Sequence, residues 1–396
     1  MSALPEAEIP PIARLPEEWQ PLLIQTGEPG FRARQVFRWI HRGGEFDPDK
    51  MSNLSLALRK KLREQGLSAP AEVVEVHASS DGTRKLVLQM QGEARVECVI
   101  IPMTRLDDAD AQADASDEEG EPNEVKAGSE PTRVTLCIST QFGCAMGCRF
   151  CASGQAGLVR GLGAGEVVSQ VLLARRYLRP DEELRNLVFM GMGEPLHHYE
   201  ETARALRLLT HPEGLALSLR RITVSTVGLL PGIKRLGEDF EGKVGLAISL
   251  HAPDDATRGR IIPMNQKYPI AALMQALREY PLPRRRRITI EYTLIAGVND
   301  SLEQARALAE LLRGLRVKIN LIPMNPITQA DYQAPEAARV IRFQELLSGA
   351  GYSCFVRTRR GDDVSAACGQ LAMTDDLVRQ KREREALREE LQRKQS

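Results

Sequence analysis

The chain has 396 residues, with 53 lysines and arginines against 53 aspartates and glutamates, so its formal net charge is zero. A 42% hydrophobic and 27% charged composition excludes a disordered or collagen-like chain and a small disulfide scaffold. The length suits two or three domains, or one barrel with attachments, and no apolar run approaches the roughly 20 residues of a membrane span.

Residues 1–70 read as a small helical domain. The first residues carry acids and prolines where a signal peptide needs basic and apolar regions, so a cytoplasmic protein is expected. Trp19, Leu22 and Leu23, then Val36, Phe37, Trp39 and Ile40, fall at helical spacing, with Gly27-Glu28-Pro29-Gly30 as the break between them. Residues 71–106 alternate as strands through Val73, Val76, Leu86, Leu88, Val96 and Val99, with turns at Asp81-Gly82 and Gln91-Gly92. This predicts an antiparallel β-ribbon leading into the core. Residues 107–130 read as a disordered acidic insertion: 107–124 hold nine acids and no lysine or arginine. Setting those nine aside leaves the remaining chain nine charges positive. The neutral total hides a basic body.

From 131 to 360 strand and helix patterns alternate. Strands are expected at 133–140, 187–191, 221–226, 244–250, 288–294, 317–323 and 353–357. Helices are expected at 165–178, 199–210, 269–279, 301–313 and 335–348. Repeated βα units with near-continuous apolar strands imply a parallel sheet. The expected class is α/β, a partial (β/α)6 TIM-like barrel. A doubly wound open sheet is the alternative, since periodicity does not separate the two. Residues 361–396 are expected to form a loop with Cys368 and then a highly charged helix from 375.

Seven cysteines, an odd number in a chain expected in the cytoplasm, point to metal or thiol chemistry rather than a disulfide framework. Cys144, Cys148 and Cys151 follow the first core strand, and Gly143 and Gly147 let their loop curl. A structural zinc wants a fourth protein ligand, and ordinary ferredoxin clusters take four cysteines. Three thiols on a four-iron cluster would leave one iron open to a substrate. In a barrel, the C-terminal ends of the strands share one face. Gly193 and Glu194, Ser225, then Ser249, Leu250 and His251, and finally Asn325 and Cys368, all fall at such ends.

The CxxxCxxC loop after the first strand of a partial barrel resembles the radical S-adenosylmethionine (SAM) superfamily. The segments VECVIIP (96–102), TLCISTQFGCAMGCRFC (135–151), VFMGMGEPL (188–196), SLHAP (249–253), LIPMNP (321–326) and RGDDVSAACGQL (360–371) resemble its dual-specificity RNA methyltransferase branch. The likeness runs from about residue 30 to 375. It implies an enzyme that methylates C2 of adenine 2503 in 23S rRNA and of adenine 37 in tRNA. It implies a 4Fe-4S cluster on Cys144, Cys148 and Cys151, with SAM on the open iron and two SAM molecules per turnover. SAM contacts would come from Gly193, Glu194, Ser225, Ser249, Leu250, His251 and Asn325.

By the same resemblance, Cys368 first takes a methyl group from SAM. A 5′-deoxyadenosyl radical removes hydrogen from it, and the methylene adds to C2. Cys137 then attacks the Cys368 sulfur, leaving a transient disulfide, and Glu97 is the proton acceptor. An electron donor such as flavodoxin or ferredoxin is implied, and a monomer is expected. The runner-up is an adenine-C8 methyltransferase of the antibiotic-resistance type; the rival outside the class is a non-catalytic, zinc-containing RNA-binding protein.

Without the resemblance these residues read more blandly. Cys137 sits mid-strand, where buried cysteine is common, and Glu97 reads as the exposed side of a strand. Cys98 and Cys354 read as core, as do Phe37 and Trp39, and His197-His198 has no assigned role. Candidate phosphate contacts are Arg32, Arg34, Arg38, Arg42, Lys60-Lys61, Arg284–Arg287, Arg357, Arg359 and Arg360. The target base must be unstacked to reach the barrel mouth. The insertion exceeds the connection expected from the resemblance and separates Glu97 from Cys137.

Overall fold

The computed structural model describes residues 9–92, 94–103, 131–328, 330–357 and 359–371. The expected acidic insertion and the charged C-terminal helix lie outside the described residues. Pro16 opens α1 (Pro16–Gln25), where its missing N–H costs nothing, and Glu17 and Glu18 occupy the first turn, where the helix dipole favours acids. The Glu18 carboxylate accepts the Leu15 N–H (2.7 Å) and the Arg204 guanidinium (2.8 Å), tying this helix to the outer layer of the barrel. α2 (Arg32–Phe37) and α3 (Leu56–Glu64) follow, and Ser55 caps α3 by accepting the Leu58 N–H at 3.1 Å. Trp19, Leu23, Val36, Phe37, Ile40 and Leu58 are buried in the core, so Phe37 is packing rather than a base platform. His41 stacks on it with centroids 4.2 Å apart.

β1 (Ala71–Ala78), β2 (Arg84–Met90) and β3 (Arg95–Pro102) form the antiparallel ribbon, and β3 continues antiparallel onto β4 (Thr132–Cys137). β5 (Gln141–Phe142) pairs with β6 (Arg160–Gly161) around the cysteine loop and α4 (Ala152–Ala156), and α5 (Ala164–Ala174) follows. The remaining strands are β7 (Glu182–Phe189), β8 (Ile222–Thr226), β9 (Gly245–Ser249), β10 (Ile288–Leu294), β11 (Val317–Pro323) and β12 (Ser353–Val356). The outer helices between them are α6 (Tyr199–Thr210), α7 (Leu230–Asp239), α8 (Asp255–Ile261), α9 (Ile270–Glu279), α10 (Leu302–Leu311) and α11 (Ala337–Gly349).

The order along the ten-stranded sheet is β1-β2-β3-β4-β7-β8-β9-β10-β11-β12, parallel from β4 onward. A doubly wound sheet reverses its order at a switch point. This order never reverses, so right-handed crossovers keep every helix on one side and the sheet curls. Six βα units and a seventh parallel strand make the expected partial (β/α)6 barrel. Three helices, α4, α7 and α8, were not among those expected. In α7 a Cβ at Gly232 would lie 2.6 Å from the Leu196 Cβ, and one at Gly237 2.7 Å from Pro281. Packing demands glycine there, and two glycines with Pro231 lower the helical propensity of a segment whose Leu230, Ile233, Leu236 and Phe240 keep the helical spacing.

Side chains alternate across the sheet. Leu86, Leu88, Val96, Cys98, Ile100 and Leu136 are buried on the face that packs under α5. The opposite face lines the barrel and is largely polar. There Cys137 sits beside Val188, Ser225 beside Ala247, Ser249 beside Glu291, and Glu291 beside Asn320. Val99 is the β3 partner of Cys137, so Glu97, two residues along, shares that face with the thiol.

Candidate active site

The cysteine loop is shaped by glycine. Gly143 has φ of 78°, and a Cβ there would fall 1.8 Å from the Gly157 carbonyl oxygen, which accepts the Cys144 N–H at 3.1 Å. The Arg149 N–H donates to Ile261 O (2.9 Å), fixing the loop against the end of α8. Cys144 and Cys148 are buried and Cys151 is half-buried. Burial raises all three thiols, and the Cys148 thiol is raised further by Cys151 and Cys144. Such thiols ionise only with a compensating positive charge, which a metal supplies. Among the described residues no three His, Cys, Asp or Glu side chains close around a single ion.

Beside this loop stands Glu194. Its Oε1 accepts the Leu196 N–H (3.1 Å), its Oε2 the Val227 N–H (2.9 Å), and its own N–H donates to Gln141 Oε1 (2.9 Å). Burial pushes its carboxyl up to about 7 despite these donors. Gly193, at φ of 104°, passes so close that a Cβ would sit 2.6 Å from the Gln141 side chain. Ser225 and Ser249 are half-buried at the ends of β8 and β9, and Leu250 is buried behind them. His251 has φ of 57°; its Nδ1 accepts the Thr293 N–H (2.8 Å), which leaves the proton on Nε2. Burial lowers it to about 3, so the ring is neutral, and its centroid lies 4.7 Å from that of Phe150.

The two remaining thiols approach from opposite ends of the chain. Cys137 ends β4 and is buried; burial raises it, and the proximity of Cys368 raises it further. Cys368 reaches solvent in the loop after β12, yet protein crowding its sulfur pushes it up to about 11, with Glu291 adding and Arg357 opposing. Asn325 Nδ2 donates to the Cys368 carbonyl (2.9 Å), while its Oδ1 is buried without a protein partner. The Ala152 N–H donates to Gly369 O (2.8 Å) and the Ser153 hydroxyl donates to Leu371 O. The thiol loop is thus bonded to the turn directly after Cys151.

Comparisons with known proteins agree with this geometry. Residues 138–311 match the Radical SAM superfamily, and residues 16–66 match the ribosomal RNA large subunit methyltransferase N-terminal domain. A dual-specificity RNA methyltransferase RlmN from Sorangium cellulosum is 60% identical over 370 residues, which covers 92% of this chain and 95% of that protein. Another from Marinobacter nauticus is 45% identical, with 87% of each chain covered. A radical SAM methyltransferase from Sphaerobacter thermophilus, solved by crystallography, superposes with a TM-score of 0.80 at 41% identity, over 91% of this chain and 98% of that one. The chain belongs to the RlmN family of dual-specificity RNA methyltransferases.

RlmN-family chemistry runs on a 4Fe-4S cluster and SAM. No helix among the described residues is long and apolar enough to cross a membrane. Three residues around this RlmN-type site escape a reading of the sequence. Lys85 Nζ meets Glu97 Oε1 at 2.9 Å inside the barrel, both side chains being nearly buried. Glu291, hidden in an apolar-looking strand, accepts the Asn320 amide at 2.8 Å. Arg258 is buried under the loops and donates to Leu250 O (3.0 Å), Ser249 O (3.2 Å), Val227 O (2.5 Å) and Asn265 Oδ1 (2.8 Å). Of the basic candidates, Arg359 lies in the Cys368 loop, whereas Arg284–Arg287 precede β10 at the end of the barrel opposite the site. Arg149, Arg260 and Lys267, unremarked in the sequence, are exposed in the segments bordering the cysteine loop.

Proposed function

We propose that this protein methylates C2 of adenine 2503 in 23S rRNA and of adenine 37 in tRNA, with Cys368 as methyl carrier, Cys137 as resolving thiol and Glu97 as proton acceptor. The observation that carries this reading is the meeting of Cys137 and Cys368 at one barrel mouth, with Glu97 on the same inner face as Cys137. Three thiols with no fourth cysteine or histidine at the usual paired spacing suit a cluster with one open iron better than a closed four-ligand zinc site. Cys144, Cys148 and Cys151 would therefore hold the 4Fe-4S cluster, and the missing fourth ligand leaves room for SAM. When bound, this pair supplies the electron and the 5′-deoxyadenosyl radical.

The chain's own residues do the rest. Gly193 and Glu194, rigidly held by Gln141 and two backbone N–H groups, would face the SAM ammonium. Ser225, Ser249, Leu250 and His251 close the pocket, and Asn325 links it to the Cys368 loop, leaving its Oδ1 to accept from SAM. C2 of adenine is electron-poor, so a direct polar attack on a SAM methyl group is unfavourable. Cys368 instead carries the methyl carbon, one SAM for loading and a second for activation. Glu97 takes the C2 proton from the adduct, and its odd electron would return to the bound cluster, which leaves the Cys368 sulfur joined to C2 through the methylene. Cys137 then attacks that sulfur, its thiol proton going to the departing carbon, to give the methylated base and a Cys137–Cys368 disulfide.

Phosphates would meet Arg149, Arg260 and Lys267 at the mouth, and the helical segment 1–70 would add Arg34 and Arg38. A low-potential carrier such as flavodoxin or ferredoxin would reduce the cluster in a cytoplasmic monomer. Mass spectrometry tests the thiols: Cys368→Ala should block methyl loading with the cluster intact, and Cys137→Ala should trap a protein–RNA crosslink. Finding neither effect would refute the two-thiol reading.

A further inference from the structure

The Cys368 loop is anchored on three sides. Two anchors belong to the site: Arg359 and Gln370 donate to carbonyls of Met324 and Pro326 after β11, and the α4 turn donates to Gly369 and Leu371. The third lies in the turn between β1 and β2. There the Gly361 N–H donates to Asp81 Oδ2 (3.0 Å), and the Ser80 N–H donates to Asp363 Oδ2 (3.2 Å). Each segment gives one N–H and one carboxylate, so the contact is reciprocal. Asp81 is itself fixed, since its Oδ1 accepts the Thr83 N–H at 2.9 Å. Burial opposes its ionisation, but the donors from Thr83, Gly361 and Ser79 outweigh it and hold the carboxyl at about 2. Gly361, at φ of 63°, packs against Thr83, where a Cβ would come within 3.0 Å of the threonine methyl group.

The position of this contact gives it a role. β1 and β2 begin the sheet, and the Cys368 loop follows β12, which ends it. The sheet is open between them, so the clasp is the hydrogen-bonded bridge across the gap in the barrel wall. Residues on the far side of the clasp lead within seven positions to Cys368. A loop fixed at one end only would sample many positions of its sulfur, and a reaction needing two successive geometries of that sulfur gains from holding it.

We propose that Asp81 and Asp363 are positioning residues, which clasp the Cys368 loop across the gap so that its sulfur meets first the SAM methyl group and then Cys137. The proposal rests on the reading of Cys368 as the methyl carrier. Its test compares reconstituted holoenzyme with Asp81→Ala, Asp363→Ala and Asp81→Asn, the last keeping an oxygen acceptor for the Gly361 N–H. Intact-protein mass spectrometry follows the rate of methyl transfer from SAM to the protein. Peptide mapping after iodoacetamide treatment follows alkylation of Cys368, with buried Cys98 and Cys354 as internal controls. The alanine variants should load methyl about tenfold more slowly and expose Cys368 to faster alkylation, as loss of a charge-assisted hydrogen bond predicts. Cys98 and Cys354 should be unchanged, and Asp81→Asn should recover most of the loading rate. Unchanged loading and alkylation in the alanine variants, or faster alkylation of all three cysteines alike, overturns the clasp. If wild-type Cys368 takes no methyl group, the functional reading fails, and the alkylation comparison still decides whether the clasp holds the loop.

Discussion

Replacing Lys85 with methionine leaves the Glu97 carboxylate inside the barrel without the ammonium group it meets at 2.9 Å. The Lys85 and Glu97 side chains are only 11% and 4% exposed, so water screens the pair weakly. With an effective dielectric of about 20, unit charges at that distance attract by about 6 kcal/mol before desolvation is counted. Breaking a buried pair from one side costs about 3–5 kcal/mol, because the survivor stays desolvated. Lys85→Met and Glu97→Gln should therefore each cost about 3 kcal/mol. The double variant, which leaves neither charge stranded, should cost less than their sum by at least about 2 kcal/mol. Urea unfolding of the anaerobic apoprotein across the four-member cycle measures that coupling. A coupling below about 0.5 kcal/mol would mean that Lys85 does not hold Glu97, and would remove the support for Glu97 as a fixed proton acceptor.

Three further outcomes follow from the same reasoning. Pro102 and Val134 are register partners, so replacing 105–130 with a turn of about four residues should preserve the β3–β4 pairing and leave RNA methylation within about twofold; a loss of an order of magnitude would contradict the placement of Glu97 beside Cys137. Burial holds His41 at about 3 rather than 6.5, so its contribution to stability is present above pH 6.5 and is lost as pH falls towards 3. About 2 kcal/mol should be gone by pH 5, and His41→Leu should abolish that part of the slope; identical slopes in urea titrations at pH 8 and 5 would refute it. Arg258→Met strips donors from four acceptors, three of them buried, and should cost about 3 kcal/mol while weakening SAM binding at least tenfold; equilibrium dialysis with an unchanged affinity would show that Arg258 does not shape the proposed SAM pocket.

Much of this fold is legible because its strands are apolar and its order is monotonous. The strands at 288–294 and 317–323 stand out because Ile288, Ile290, Tyr292 and Leu294, and Val317, Ile319 and Leu321, take every second position under the helices, while Thr289, Glu291, Lys318 and Asn320 take the face towards the lumen. α7 keeps a helical stripe through Leu230, Ile233, Leu236 and Phe240, but Pro231, Gly232 and Gly237 lower its propensity, the glycines being required by contacts to Leu196 and Pro281. Glu97 looked like the outer side of a strand because its neighbours are apolar. The barrel turns that side inward, and its partner Lys85 lies on another strand. The clasp between Asp81 and Gly361 joins residues 280 positions apart, and no local pattern carries such a pairing. His251 shows the same limit: its neutral state comes from burial and from Thr293, which belongs to the next strand.

The central claim is the chemistry at one carbon of one base. Reconstituted holoenzyme, SAM and a reductant should be incubated with 23S rRNA and with tRNA, and the RNA digested to nucleosides for mass spectrometry against authentic standards. The account predicts 2-methyladenosine in both RNAs with wild-type protein and none with Cys368→Ala. Finding 8-methyladenosine, or 2-methyladenosine that persists without Cys368, would contradict it.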